Sequence, residues 1–526
     1  MAGPRSLLLV SFFLGGPLFS LAAKILTIST LGGSHHLQMQ KISQILQEHG
    51  HWVTNLLYNK DLTSGIIKNI NMKEVSYRVI PWSVPEEQQE KFNDILDFLY
   101  QKAVDGRSSI NDYIRLFEHF GNSCRHLLSR RDLMDSLRNE NFDLLVFDSA
   151  DLCSFLVAEK LEKPFVVFIP VMFSYVDYGL PSSLSYVPVA GSLLTENMDF
   201  WGRLRNFLTY LVYSMNQRLF HSQFDNTIQE HFAEGSRPVL SHLLRKAELW
   251  FVNSDFGFDF ARPLLPNTIY VGGLMDKPVN PLSQELEDFI AKFGDSGFVL
   301  IAQGTILSMY QTKKHIEEMN KAFSDIPQGV IWKFNCSQWP EDVKLPANVK
   351  MMDWVPQNDL LAHPRIRLFV THGGINSIME AMQHGVPIVG IPVTADQPEN
   401  MLRVEEKKFG VSVHLQNLRA ETLALKMKEV IEDERYKSAA MAARAIMRSQ
   451  PLTPAQRLVG WIDHILRTGG AAHLKPYAFQ QPWHEEYLLD VLLFLLGLIL
   501  GTLWLCWKLL GFATRWLRGA RKLKKT

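Results

Sequence analysis

Two stretches of the chain carry residue types and spacings suited to chemistry. The first is STLGGSHHLQM, Ser29 to Met39, where an apolar run, KILTIS, stops at two glycines and two histidines and a helical pattern follows. A turn needs the glycines, but it does not need two imidazoles. An imidazole titrates near neutral pH and can take a proton from a reacting group or return it. The second stretch is DWVPQNDLLAHPRIRLFVTHGGINSIMEAMQHGVPIVGIPVTADQPEN, residues 353–400. Within it FVTHGGINSIMEA ends a strand, allows close backbone approach at Gly373 and Gly374, and opens a helix at Asn376-Ser377. The free N–H groups and the dipole of such a helix start make an anion site. Ser377 with Glu380 three residues later also reads as a capping box. Capping leaves His372 and the glycines unexplained, and these suit a diphosphate, with His372 as a donor. Trp354 and Gln357 follow the strand NVKMMDW; Trp354 suits stacking on a base or a place in the core, and Gln357 suits hydrogen bonding to a base edge. Asp396 and Gln397 follow PIVGIP and suit sugar hydroxyls, while Asp396 equally suits capping the next helix.

These residues need elements that bring them together. Apolar runs at 24–30, 142–149, 164–170, 247–254, 297–303, 329–334, 366–372 and 387–392 read as strands. Several are continuous rather than alternating, which predicts parallel strands covered on both faces. Helical patterns lie between them, for example at 37–48, 313–325, 376–384 and 418–432. The alternation predicts α/β architecture with doubly wound sheets, and one such sheet rarely needs so long a chain. The segment DKPVNPLSQELEDF, 276–289, has Pro and Ser and no strand pattern, and it precedes a fresh run of strand–helix units. Two domains are therefore expected, 23–280 and 281–470, with functional residues just after strands along a cleft between them. Residues 198–222, MDFWGRLRNFLTYLVYSMNQRLFHS, predict a buried helix; the other reading is a helix touching membrane or lining an apolar pocket.

The 526 residues are 47% hydrophobic and 21% charged with formal net charge zero, so nothing points to a nucleic-acid partner. The ends carry more information. Residues 1–22 have a short basic start, an apolar stretch and small residues, the pattern of a secretory signal peptide cut after Ala22 or Ala23. A juxtamembrane segment, 471–486, leads to the apolar run Tyr487 to Trp507, long enough to span a bilayer as a transmembrane helix. The tail 508–526 holds seven Lys and Arg and no acid, which predicts a cytosolic tail and a lumenal bulk. Its last residues, KLKKT, resemble a dilysine retrieval signal of the endoplasmic reticulum membrane. Of four cysteines, Cys506 lies in the span, and Cys124, Cys153 and Cys336 allow at most one disulfide among them. Asn335 starts the one glycosylation sequon, NCS. No Asp-x-Asp occurs, so no metal-held diphosphate and no cofactor are expected.

Taken together, the block 353–400 resembles the signature of the UDP-glycosyltransferase superfamily, which includes the vertebrate UDP-glucuronosyltransferases. The pattern W-x-P-Q, F-x-T-H-G-G-x-x-S-x-x-E and G-V-P-x-x-x-x-P-x-x-x-D-Q-x-x-N is present in full, from Trp354 to Asn400. FDFARPLLPNTIYVGGL, 258–274, matches a second hallmark, and within the superfamily the chain looks closest to mammalian family 3. The resemblance implies the GT-B fold: two Rossmann-like domains facing a cleft, the first for the acceptor and the second for the UDP-sugar, plus the C-terminal transmembrane helix. It implies an inverting transfer of sugar to a hydroxyl of a small lipophilic acceptor by a single-pass type I protein of the endoplasmic reticulum, alone or assembled with itself or related transferases. Carried over residue by residue, His35 matches the catalytic histidine and Asp148 the catalytic aspartate, with Asp151 the alternative. His36 falls where close relatives often have Tyr and reads as packing or pocket lining. A helix N-terminus favours the neutral form of His35. Trp354 would stack on uracil and Gln357 bind base or ribose. His372, Asn376 and Ser377 would hold the diphosphate, and Gly374 and Thr305 would also bind the UDP-sugar. Glu380 would accept from the ribose, and Asp396 and Gln397 would bind the sugar.

The departures concern the donor. Gln303 precedes Gly304-Thr305, where relatives usually carry Gly-Ser, and Thr394-Ala395 stands in the loop that touches the sugar. Glucuronosyl members carry an Arg after the strand before the PRPLLPN-type motif, and Asn253 falls there. A neutral amide forgoes a charge-assisted pair to the sugar carboxylate. A neutral-sugar donor is therefore expected over UDP-glucuronic acid.

Overall fold

The computed structural model describes residues 22–58, 76–170, 178–304 and 311–523. The expected signal peptide up to Leu21, Thr305 and the terminal lysines Lys524 and Lys525 lie outside them. Two units separate, 1–472 and 473–526.

The first unit holds two parallel sheets. One contains β1 (Lys24–Ser29), β2 (Trp52–Tyr58), β3 (Arg78–Trp82), β4 (Leu144–Asp148), β5 (Phe165–Ile169), β6 (Trp250–Val252) and β7 (Thr268–Tyr270). Their spatial order is β3-β2-β1-β4-β5-β6-β7. The other contains β8 (Phe298–Ala302), β9 (Gly329–Lys333), β10 (Val349–Met352), β11 (Ile366–Thr371), β12 (Ile388–Gly390) and β13 (Gly410–Ser412), ordered β10-β9-β8-β11-β12-β13. Both orders reverse direction beside their first strand. That reversal opens a crevice at the carboxyl ends, between β1 and β4 in one sheet and between β8 and β11 in the other. In the first crevice β1 and β4 run in register, with Ile28 opposite Phe147.

The continuous apolar runs have the expected cause. In β8, Phe298, Leu300 and Ala302 enter one buried cluster with Phe369 and Ile388, while Val299 and Ile301 enter another with Trp332 and Val370. Side chains alternate across a strand, so a strand covered on both faces must be apolar at every position. Each such side chain contributes about 1.5–3 kcal/mol by leaving water.

Six helices of this unit matter for the site and its surroundings: α1 (Ser34–Glu48), α2 (Ile110–Ser129), α3 (Leu152–Leu161), α4 (Phe200–Ser222), α5 (Ile375–His384) and α6 (Gln397–Glu406). A disulfide, Cys124–Cys153, joins α2 to α3, and Cys336 is free and exposed. Asn335 is exposed, and its side-chain oxygen accepts from the backbone and hydroxyl of Ser337. The expectation of a buried helix over 198–222 is wrong. In α4 Asn206 is the buried residue, and nine large apolar side chains face outward. Aromatic and leucine density signals burial only when the rest of the fold supplies a cover.

The second unit carries α7 (Leu489–Leu523), of which Leu489–Leu517 is long and apolar enough to cross a membrane. The helix continues past Trp507, the expected end of the span, because the basic tail is rich in good helix formers.

Candidate active site

Gly33 adopts φ 65° and ψ −133° at the start of α1, a backbone conformation that side chains beyond glycine rarely reach. It aims the first turn of α1 back over the carboxyl ends of β1 and β4. His35 Nδ1 then lies 2.7 Å from Asp148 Oδ2, the carboxylate that ends β4. The His35 side chain is 29% exposed and that of Asp148 only 4%. The other carboxylate oxygen of Asp148 accepts from the backbone N–H of Ala150 at 2.8 Å, so the acid is anchored and the ring follows it. With Nδ1 bound to a carboxylate, the proton sits there and Nε2 is left as the acceptor. Burial lowers the affinity of His35 for a proton, but Asp148 by charge and hydrogen bond, and Asp396 by charge, reverse this, so its pKa ends above the usual 6.5. The helix start was expected to favour the neutral ring; the neighbouring carboxylates outweigh it.

The two alternatives raised by the sequence take other places. Asp151 caps α3, accepting from Cys153 N at 3.1 Å and Ser154 Oγ at 2.5 Å. His36 is buried with Nδ1 2.8 Å from Ser29 Oγ, and burial drives its pKa down to about 4, so it packs as a neutral ring. Near the His35–Asp148 pair lies a narrow pocket of about 40 Å³. Tyr58, Trp82, Phe92, Phe120 and the Cys124–Cys153 disulfide line it, with Thr30, Ser123 and Asp151 as polar groups. Its walls suit an aromatic or otherwise apolar molecule.

The second sheet supplies the facing wall. Helix α5 starts at Ile375 with Gly374 as cap residue and no side-chain cap, so Ser377 and Glu380 do not form a capping box. Glu380 instead accepts a short hydrogen bond from Gln357, whose amide also lies 3.4 Å from Ser377 Oγ. Burial raises the pKa of Glu380 to about 6. The glycines beside His372 serve its ring: a Cβ on Gly374 would sit 2.5 Å from Nε2, and one on Gly304 would sit 2.9 Å from it. Burial, with Lys333 adding to it, lowers His372 to a pKa of about 4, so it faces the helix start as a neutral imidazole able to donate one hydrogen bond. Trp354 is 54% exposed, and the Lys333 ammonium stands 4.2 Å from its ring centre.

The loop after β12 is braced from within. Gln397 Oε1 accepts from the backbone N–H groups of Val393 (2.9 Å) and Thr394 (3.1 Å). Asn400 donates to Gly373 O at 3.0 Å and to Asp396 at 2.5 Å, joining this loop to the start of α5. Asp396 occupies the cap position of α6, yet its side chain makes no capping bond. Its pKa is raised to about 6 by burial, partly offset by Asn400 and by the charge of His35.

Contacts between the two sheets' segments bring in residues that the sequence did not single out. Asn376 Oδ1 accepts from Gln38 on α1 at 2.7 Å and from Asn253 after β6 at 2.9 Å. Asn253 also donates to Pro170 O at 3.1 Å. Tyr113 OH lies 3.3 Å from Thr394 Oγ1. Asp259, in the FDFARPLLPN stretch, pairs with buried Arg403 of α6 at 3.0 Å and accepts from Tyr270 at 2.8 Å. Gln38 repeats the face of His35 one turn on, and Lys333 ends a strand, so both had a positional signal. Tyr113 had none. A crevice of about 10 Å³ runs from Asn253 to Asn376 and Glu380; its described lining holds the carboxylates of Asp276 and Glu380 and no cation. Gln303 is buried at the end of β8, its Oε1 without a partner among the described residues.

The first sheet thus carries a histidine backed by a carboxylate, and the second carries a helix start, a neutral imidazole and an exposed tryptophan, with Asn376 at that helix start tied to Gln38 and Asn253 of the first sheet's segments. A family model described as UDP-glucoronosyl and UDP-glucosyl transferase matches residues 23–524. The chain is 62% identical over 526 residues to Homo sapiens UDP-glucuronosyltransferase 3A2, covering 100% of both chains. It is equally 62% identical over 526 residues to Homo sapiens UDP-glucuronosyltransferase 3A1. The crystal structure of CalG4, the calicheamicin glycosyltransferase, superposes with a TM-score of 0.60 at 16% identity, covering 85% of this chain and 99% of that one. The fold is GT-B, and the chain belongs to the UDP-glycosyltransferases, in family 3 of the UDP-glucuronosyltransferase type.

Proposed function

We propose that the protein transfers a neutral sugar from its UDP-sugar to a hydroxyl of a small lipophilic acceptor, with inversion at the anomeric carbon. The observation that carries this reading is the 2.7 Å contact of His35 with Asp148 near the aromatic pocket. His35 Nε2 takes the acceptor proton as the hydroxyl oxygen bonds to the anomeric carbon. The bond from that carbon to the diphosphate oxygen breaks, and UDP leaves with the electron pair. Attack opposite the leaving group inverts the centre and gives a β-glycoside from an α-linked donor. Asp148 is the positioning residue: it fixes the tautomer and stabilises the imidazolium that forms. Trp354 stacks on uracil, and Gln357 and Glu380 bind base and ribose. His372, Asn376, Ser377 and the start of α5 hold the diphosphate, and the hydroxyl of Thr305 serves the UDP-sugar. Asp396 binds the sugar hydroxyls, and Gln397 shapes the loop that does so. No step in this scheme calls for a metal or a cofactor.

The donor preference is supported by the neutral amide of Asn253, which cannot form a charge-assisted pair with a sugar carboxylate. The relatives' names favour a second reading, glucuronosyl transfer, in which a cation from another loop serves that carboxylate. The apolar stretch of α7 and the basic residues after it support anchoring as a single-pass type I protein, with the catalytic part in the lumen of the endoplasmic reticulum. The exposed sequon at Asn335 then meets the glycosylation machinery. The test is competition: full-length protein in membranes, a phenolic acceptor, and UDP-glucose, UDP-xylose, UDP-N-acetylglucosamine and UDP-glucuronic acid at equal concentration. A neutral glycoside should predominate; predominant glucuronide overturns the donor assignment.

A further inference from the structure

The entry to β1 lies at the end of that strand away from His35, and its surroundings carry charge that the transfer reaction does not use. Ala22 is exposed, whereas Ala23 is buried and its carbonyl accepts from Trp52 N at 2.8 Å. The chain therefore enters the fold between these two residues. The backbone N–H of Ala23 donates to His51 Nδ1 at 3.4 Å. That leaves the ring proton on Nε2, which lies 3.3 Å from Asp463 Oδ1. Burial lowers the pKa of His51, so its ring is neutral and able to accept. Asp463, on the helix Pro454–Thr468, also lies 3.6 Å from His49 Nε2 and 3.3 Å from Arg467 Nη2.

A cavity of about 310 Å³ opens beside Ala22 and Ala23. Leu144, Ile465 and Leu466 are among its walls, and its described lining holds the carboxylates of Asp143 and Glu248 and no cation. Asp143 accepts from the backbone N–H of Lys24 at 2.8 Å, and Glu248 from that of Ala471 at 2.6 Å. An amide at Ala23 offers these carboxylates only a dipole. An α-ammonium at the same atom offers a unit charge and two further N–H groups, and a nearby cation stabilises an ionised carboxylate.

We propose that signal cleavage falls after Ala22 and that the freed α-ammonium of Ala23 is a structural ion, held by His51 and by the charges of Asp143, Glu248 and Asp463. Hydrolysis by a signal peptidase puts the hydroxyl of water on the Ala22 carbonyl and a proton on the Ala23 nitrogen. That nitrogen takes a further proton from solvent, because an α-amine titrates near 8. The inference rests on translocation into the lumen and not on the transfer reaction. A cut after Ala23 would discard a buried residue and its bond to Trp52. Because α1 carries His35 in its first turn and ends at Glu48, the ion at His51 ties the far end of the helix bearing the base to the helix Pro454–Thr468.

Amine labelling with formaldehyde and cyanoborohydride at pH 7 tests this on the full chain in membranes, folded and in urea, followed by peptide mass spectrometry. The first peptide should begin at Ala23. Its α-amine should react more slowly in the folded protein by about ten-fold or more, while the exposed Lys314 reacts alike in both. Any other first residue, or an α-amine as reactive folded as unfolded, overturns the proposal. A second chain, with one asparagine inserted between Ala22 and Ala23, moves the charge into solvent and leaves an amide at Ala23; the same peptide map verifies its start. Its Tm should lie several degrees below the native one at pH 7. Near the amine stand Lys24 on β1, Asp143 before β4, Glu248 before β6, His49 and His51 after α1, and Asp463 and Arg467 on the last helix. Carboxylates raise the pKa of an amine, so its contribution is present below about pH 8 and lost as the pH rises through the folded value. The Tm difference should therefore disappear toward about pH 10. A difference of the same size at both pH values means that the insertion acts by sterics alone, and it overturns the proposal, as does no difference at pH 7.

Discussion

The two halves of the cleft are built on the same kind of sheet, but their polar groups stand in different states. In the acceptor half, His35 and Asp148 already touch, and the acid is anchored by a backbone N–H. In the donor half, Gln357 bonds Glu380, and Asn376 accepts from Gln38 and Asn253. The groups assigned to the donor satisfy one another. A base must be oriented before reaction, because misorientation raises the barrier directly. A binding group can exchange one partner for another when the ligand arrives, at a small net cost. The difference suggests that the acceptor half is preorganised for chemistry and the donor half rearranges its hydrogen bonds around UDP-sugar. Gln38 and Asn253 reach Asn376 from the first sheet's half, so an exchange at Asn376 would also break those contacts between the halves.

Breaking the preorganised side has the largest effect. His35→Ala should lower turnover by about 10²–10⁴-fold, with UDP affinity by calorimetry unchanged. Equal losses of turnover and of UDP affinity would mean that His35 serves the donor half instead. Changing the electrostatics where the halves meet comes next. Asn253→Arg adds a charge-assisted partner for a sugar carboxylate, worth about 1.5–3 kcal/mol, or roughly 10- to 150-fold. The ratio of kcat/KM for UDP-glucuronic acid to that for UDP-glucose should rise by up to that factor. No change in the ratio would remove Asn253 from donor selection. Breaking the exchangeable side should matter least. Gln357→Ala removes one hydrogen bond of about 0.5–1.5 kcal/mol, so KM for UDP-sugar should rise by about 2- to 12-fold with kcat little altered. A fall in kcat alone would show that the donor half is not merely a binding surface.

The fold was readable because both sheets are covered on each face. Strands such as FVLIA and FVVFI are apolar throughout and stand out from any helical period. The missed strands lack that signal for separate reasons. β7 and β13 are three residues long, β3 is an edge strand containing Pro81, and β2 carries Thr54 and Asn55 in its middle. The buried Asn55 amide donates to Thr27 Oγ1 of β1, and that hydroxyl donates to the backbone carbonyl of Thr54, which a hydropathy pattern does not register. At the site, glycines and strand ends marked His35, Asp148 and His372. The ties from Gln38 and Tyr113 depend on how the two halves meet, and no spacing within one half encodes that. The pKa of His35 likewise depends on Asp148, 113 residues away, and on Asp396 from the other sheet. The burial reading of α4 failed for the same reason: its sequence shows an apolar face and not what covers it.

The most direct measurement is the pH dependence of acceptor kcat/KM in the native protein and in Asp148→Asn. A base works only when neutral, so activity falls as pH drops through its pKa. Burial alone would place that pKa below 6.5, whereas Asp148 and Asp396 place it above. The native acid limb should therefore lie above pH 6.5, and removing the Asp148 charge should move it downward while turnover on the plateau falls. An acid limb at the same pH in both proteins would mean that His35 is not the base held by Asp148, and would contradict the account.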